Sequence, residues 1–268
     1  MGRPGEDIPV QAGTETSELL RQFLDDGFVL QPGVLDPRSL AELTAAFREA
    51  QEPVMEAWER SGAREGTGPA SRSFDLNEFE SPASFLRNNV WLTTLLENPM
   101  ISSLARAVCG DGHQLYEVDA RTVPPISPED GAQRGGYVRW HRDSPIIKGG
   151  ICKVFVYLND VDVDGGCTAL VPGSHRWSLS SEGSGTTFPV SEQGDPDAGD
   201  IKQRHEFDRE RVAHIGGHAA QDAMPGHVKV VCRAGSMLAF DTRCAHTAFA
   251  NTSATSRDCI ILIFCPKW

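Results

Sequence analysis

The chain has 268 residues, 40% hydrophobic and 23% charged, with a formal net charge of −12. That length holds one large domain or at most two small ones. The acidic balance speaks against a nucleic-acid surface and offers nothing to an anionic membrane.

No apolar run approaches the roughly 18 residues of a membrane-spanning helix. Residues 1–13 are polar, contain Pro and Gly, and lack the basic and apolar regions of a signal peptide. The seven cysteines include no CxxC pair, which reads as reduced thiols in a reducing compartment. A cytoplasmic protein, monomeric or homodimeric, is the expectation.

Residues 1–14 read as a disordered lead and 15–268 as one domain. From Ser17 the period is helical: Leu19, Leu20, Phe23 and Leu24 make one apolar stripe that ends at Asp25-Asp26-Gly27, a glycine C-cap. Phe28-Val29-Leu30 is a short strand. Asp36-Pro37 is an N-cap followed by proline at the first helical position, and Leu40, Leu43 and Phe47 mark the buried side of the helix it opens. Pro53 is expected to break or kink that helix. Residues 79–96 form a further helical region. Asn98-Pro99 repeats the cap-plus-proline signal, ahead of Ile101, Leu104, Ala105 and Val108.

From Gln114 the period changes to two. Leu115 to Arg121 alternates, and strands follow at 151–158, 167–171, 228–232, 236–240 and 259–264. Gly149-Gly150, Asp164-Gly165-Gly166, Pro172-Gly173 and Ala234-Gly235 are the turns between them. Helices first and strands second favour an α+β fold, mainly β, with helices packed on an antiparallel sheet. Many short consecutive strands suggest a sandwich or jelly roll. Residues 178–225 are polar and Gly-rich. So long a loop between strands is either a lid over a pocket or a surface insertion, with a short helix expected at 206–212. His205, His214, His218 and His227 lie in or beside it and read as solvated.

The chemistry concentrates at Trp140-His141-Arg142-Asp143. In an extended chain residues two apart share a face, so His141 and Asp143 would point to one place. Alone, that pair reads as a charged strand end. His246 supplies a third ligand of the type required by a 2-His-1-carboxylate iron site. Arg257, eleven residues on, opens the last apolar strand. An arginine there would bind a dicarboxylate through its planar fork, although by itself it reads as a surface salt-bridge partner at a strand end.

Together these residues resemble the Fe(II)/2-oxoglutarate-dependent dioxygenases, and more narrowly the phytanoyl-CoA dioxygenase-like family. The resemblance runs from about residue 15 to the C-terminus. It rests also on Phe23-Leu24-Asp25-Asp26-Gly27-Phe28-Val29, on Leu35-Asp36-Pro37, on Thr122-Val123-Pro124-Pro125, and on Gly165 to His175 ending in Pro-Gly-Ser-His. It implies a double-stranded β-helix (a jelly-roll, cupin-like barrel) with N-terminal helices packed outside. It further implies iron held by His141, Asp143 and His246, with 2-oxoglutarate chelating the metal and its far carboxylate on Arg257. Arg121, Phe155 and Thr168 become further co-substrate contacts. Glu117, Asp119 and Tyr137 become substrate contacts, and Tyr137, Trp140 and the long excursion an apolar lid. His175 is expected to be structural.

Two positions depart from the family pattern: Ala248, where a hydroxyl residue is common, and Arg142 in the middle of H-x-D. The implied reaction couples O2 and decarboxylation of 2-oxoglutarate to succinate with attack on a C–H bond of a small organic substrate. Asp143 favours hydroxylation or another hydrogen abstraction over halogenation. The acidic composition favours a secondary metabolite over an acyl-CoA. The reading from a different class is a cupin-like protein that binds a metal or small ligand without turnover.

Overall fold

Helix α1 (Ala12–Asp26) stops at Gly27, which takes φ +83° and returns its N–H to the Phe23 carbonyl at 2.8 Å. A Cβ there would collide with the His175 ring, so both backbone and space demand glycine. The computed structural model describes residues 12–60, 72–74, 92–123, 125, 138–142, 151–176, 205–206, 224 and 226–267. Residues 12–14, expected in the disordered lead, are helical. Leu19 and Phe23 are buried, but Leu24 is 58% exposed. At 3.6 residues per turn Leu24 lies about 140° round from Leu19, outside the face that α1 presents to the sheet.

The chain turns directly into strand β1 (Phe28–Gln31) and then into α2 (Pro37–Arg60). Asp36 caps α2: its Oδ1 accepts the Arg38 and Ser39 N–H groups at 2.9 and 3.0 Å. The helix runs on through Pro53, so the expected break does not occur. Strand β2 (Arg72–Phe74) and a single π-helical turn, Leu92–Leu96, precede α3 (Pro99–Cys109). The Asn98 side chain accepts from the Met100 and Ile101 N–H groups and donates to the Val34 carbonyl at 3.1 Å, which ties the start of α3 to the loop before α2.

The remaining strands are β3 (Gln114–Val123), β4 (Val138–Arg142), β5 (Cys152–Tyr157), β6 (Thr168–Leu170), β7 (His205–Glu206), β8 (Val228–Lys229), β9 (Met237–Asp241), β10 (His246–Ala248) and β11 (Arg257–Cys265). They form a six-stranded sheet in the order β1-β9-β5-β11-β3-β2 and a five-stranded sheet in the order β7-β4-β10-β6-β8. All the pairings are antiparallel. The larger sheet takes β3, β5, β9 and β11, and the smaller takes β4, β6, β8 and β10. This passage back and forth is the double-stranded β-helix, or jelly roll. Among the described residues the two sheets stay separate and do not close into one hydrogen-bonded cylinder.

Strand alternation gives the larger sheet two buried faces. Val118, Ala120, Val154, Val156, Ile260 and Leu262 pack outward on Leu19, Phe23, Leu43, Phe47, Ile101 and Leu104 of the helices. Phe155, Tyr157, Leu238, Phe240, Cys259 and Ile261 pack inward with Leu170 of the smaller sheet. Each fully buried Leu or Ile contributes roughly 1.5–3 kcal/mol. Strand β11 is buried on both sides, and it forms the spine between β3 and β5.

In the 178–225 excursion the described part is β7, and the helix expected at 206–212 lies, beyond Glu206, outside the described residues. This two-residue strand pairs with the edge of β4. Apart from β7 and Met224, the excursion lies outside the described residues.

Candidate active site

Residues directly opposite one another in antiparallel strands share a face. On the inner face of the larger sheet they make four rows: Glu117–Ile263–Lys153–Phe240, Asp119–Ile261–Phe155–Leu238, Arg121–Cys259–Tyr157, and Val123–Arg257. The smaller sheet supplies the opposing wall. There His246 is the register partner of His141 on one side and of Leu170 on the other, and Ala248 lies opposite Thr168.

The two walls are tied together at both ends. At one end the His246 ring packs on Phe240, with centroids 4.8 Å apart. At the other, Thr168 Oγ1 accepts hydrogen bonds from Tyr157 OH at 3.2 Å and from Arg257 Nη1 at 3.4 Å.

His246 is buried, and its Nδ1 lies 2.9 Å from the Cys244 carbonyl. A carbonyl only accepts, so Nδ1 carries the proton and Nε2 is the lone-pair nitrogen. The loop behind His246 is braced from several directions. Ala245 N–H donates to Ser174 Oγ at 2.8 Å, and Ser174 Oγ–H donates to the Val171 carbonyl at 2.6 Å. Val171 N–H returns to the Ala245 carbonyl at 3.0 Å. The Asp241 carboxylate grips Arg243 at 2.9 and 2.6 Å.

Arg142, an unusual residue in the middle of H-x-D, is a strut. It is buried and donates to the carbonyls of Arg243 and, at 2.8 Å, Ser174. The Pro-Gly-Ser-His turn therefore holds this loop on one side. On the other, His175 donates to the Leu24 carbonyl at 3.1 Å, as does Arg176 at 3.0 Å. His175 is accordingly a structural cap on α1, as expected.

Arg257 is 2% exposed. Its Nη1 donates to the Gly166 carbonyl as well as to Thr168, while its Nε has no hydrogen-bond partner. Among the described residues no carboxylate forms an ion pair with it. A buried guanidinium without an ion-pair partner costs several kcal/mol, and an anion at this end of the sandwich would offset that cost. Tyr157 beside it stays a neutral phenol, because burial drives its pKa far above the usual range. With two donors already on its oxygen, the Thr168 hydroxyl has its own proton to give to an acceptor beside Arg257. Thr168 thus stands opposite Ala248 with the hydroxyl that Ala248 lacks.

The other expected residues fall as follows. Arg121 shares the inner face with Arg257, and its Nη2 pairs with Asp119 at 2.8 Å. Phe155 is buried edge-on to Tyr157 and Phe240. Glu117 and Asp119 lie in the two rows nearest His246. Asp143 and Tyr137 lie outside the described residues. Trp140 is buried, packed on the His227 ring at 5.7 Å, and so is core material and no lid. His227 is likewise half-buried between Trp140 and Phe249, and is not the solvated side chain expected. Sequence reasoning missed Tyr157, although it stands two residues from Phe155 on the same face. It also missed the Ser174 and Arg142 braces, which no local pattern announces.

The sequence profile of the family described as phytanoyl-CoA dioxygenase (PhyH) matches residues 23–259. The chain belongs to that family. It is therefore a non-haem Fe(II)/2-oxoglutarate-dependent oxygenase, using O2. Curated relatives include an ectoine dioxygenase of Nocardia farcinica, 23% identical over 262 residues, covering 96% of this chain and 80% of the relative. Another is the dioxygenase ALT11 of Alternaria alternata, 21% identical over 265 residues, 96% of this chain and 73% of the relative.

Among solved structures, the non-haem α-ketoglutarate-dependent carbocyclase SnoK of nogalamycin biosynthesis superposes with a TM-score of 0.61 at 20% identity, over 97% of this chain and 87% of its own. HygX of Streptomyces hygroscopicus, with nickel and 2-oxoglutarate bound, gives 0.62 at 15% identity, over 94% and 87%. HygX is also solved with hygromycin B bound. These likenesses establish the fold. No described helix is long and apolar enough to cross a membrane.

Proposed function

We propose that His141, Asp143 and His246 ligate the iron of this oxygenase, and that Arg257, Thr168 and Tyr157 receive the far carboxylate of 2-oxoglutarate. The observation that carries this reading is the register that sets His246 directly opposite His141, two residues along the strand from the Thr168–Ala248 pair. Two residues of strand span about 6.6 Å, within the reach of a five-carbon diacid held at one end by a metal and at the other by a guanidinium. The buried Arg257, with no carboxylate partner among the described residues, suits the anionic end. His246, with Nδ1 tied to the Cys244 carbonyl, suits the metal end.

Bound iron and 2-oxoglutarate supply the O2-dependent oxidising chemistry, with 2-oxoglutarate leaving as succinate and CO2. The chain's own residues orient these groups. The Arg257 fork neutralises and aligns the carboxylate, the Thr168 hydroxyl donates to it, and Arg121 is a second cation one row away. Phe155, Ile261 and Leu238 keep water from the span between. Asp143, as a carboxylate at the third ligand position, favours oxygenation over halogenation.

The substrate is a small organic compound, and a secondary metabolite fits best. The acidic chain lacks a basic cluster for CoA, and structures of the same fold come from nogalamycin biosynthesis and from a hygromycin B complex. Hydroxylation of a C–H bond is the expected outcome. Anaerobic titration with Fe(II) and 2-oxoglutarate should give the weak visible charge-transfer band of the chelate. Its absence would favour a cupin-like binding protein. Screening small substrates for coupled succinate release then identifies the natural one.

A further inference from the structure

Lys153 has no part in that reading, yet its place in the site is specific. The four inner rows have a direction. Arg257, Tyr157 and Arg121 occupy the two rows at the co-substrate end, whereas Lys153 shares the first row with Phe240, the ring that packs on His246. If iron and 2-oxoglutarate bind as described above, Lys153 stands beyond His246 from Arg257, on the side left for the primary substrate. It is half-buried. Its Nζ lies 5.8 Å from the centre of the Phe155 ring and 5.9 Å from that of Phe240. Ring faces at this range hold an ammonium by its charge. The neighbours Ile261 and Ile263 are apolar.

We propose that Lys153 anchors an anionic oxygen of the primary substrate, a carboxylate or an ionised phenol, carried on a flat apolar body that packs along Phe155 and Phe240. Glu117 lies in the same row, with Ile263 between it and Lys153. The proposal names a substrate class for the site and depends on the iron reading.

The test uses the full chain loaded anaerobically with Fe(II) and 2-oxoglutarate, and two fluorescent probes: 2-naphthoate and its neutral analogue 2-naphthamide. One charge-assisted hydrogen bond corresponds to roughly ten- to a hundredfold in affinity. Wild type should prefer the naphthoate by that factor. Lys153→Gln should bind both probes alike, and Lys153→Arg should keep the preference. The charge-transfer band should persist in all three proteins, which shows that each folds and that naphthoate has not displaced 2-oxoglutarate. A normal band with no preference in wild type, or with the preference intact in Lys153→Gln, overturns the Lys153 proposal alone. No band in wild type overturns the iron reading and this proposal with it.

Discussion

Replacing Arg257 by Met separates two quantities that usually move together. The guanidinium is buried with an unpartnered Nε and with two hydrogen bonds, to the Gly166 carbonyl and the Thr168 hydroxyl. Losing hydrogen bonds from a charged donor costs about 1.5–3 kcal/mol each. Removing an unpaired buried charge returns several kcal/mol of desolvation. The two nearly cancel, so the stability of the metal-free protein should change by no more than about 2 kcal/mol, in either direction.

Binding of 2-oxoglutarate has no such compensation. Truncating one partner of a buried charge pair costs about 2–5 kcal/mol, or roughly 30-fold to several thousandfold in Kd. The assay is a pair of urea titrations of the metal-free proteins, with an anaerobic titration of the Fe(II) forms by 2-oxoglutarate. Arg257→Met that binds 2-oxoglutarate like wild type refutes the anion-site reasoning. A stability loss well beyond 3 kcal/mol shows instead that Arg257 serves the fold.

Asp143→Ala should abolish Fe(II)-dependent succinate formation by more than the roughly 10–100-fold typical of an outer-shell metal partner. Unaffected succinate release would show the ligand assignment to be wrong. Ser174→Ala strips the acceptor from the Ala245 N–H. It should lower stability by about 1–3 kcal/mol and, by loosening the loop that carries His246, weaken Fe(II) binding roughly tenfold. Unchanged urea midpoints and Fe(II) titrations would mean that the brace is idle.

Burial pushes the thiols of Cys109, Cys244 and Cys259 up to about 11 and that of Cys232 up to about 12, from an ordinary value of 9.0. Above pH 9 the unfolded chain therefore holds fewer of these protons than the folded one, and stability falls with rising pH until about pH 11–12. Urea midpoints should be insensitive to these groups up to pH 8 and decline from pH 9 to 11. Cys259→Ala should soften the decline, and a slope identical to wild type counts against it.

Local signals were legible wherever one residue type has one backbone consequence. Gly27 stops α1, Asp36 and Asn98 cap α2 and α3, and the alternation from Gln114 onward announced strands. Two expectations failed where local rules meet tertiary context. Pro53 does not interrupt α2, because one missing donor is tolerated in a long helix. Leu24 is exposed because α1 shows the sheet only a narrow face.

The sequence by itself determined the ingredients of the proposed site: a His and an Asp two residues apart, a later His, and an Arg at the head of the last strand. Spacing along a chain fixes which side chains share a face, because strand period and turn length are local. Only the tertiary structure decided who stands opposite whom. The register of β10 against β4 and β6 set His141 beside His246 and Thr168 beside Ala248. The fold of one sheet over the other brought Tyr157 and Arg257 to the Thr168 hydroxyl. It also turned Arg142 into a strut and put Trp140 in the core. Those are contacts between segments far apart in sequence, fixed by sheet pairing and packing, and neither leaves a periodic trace in the chain.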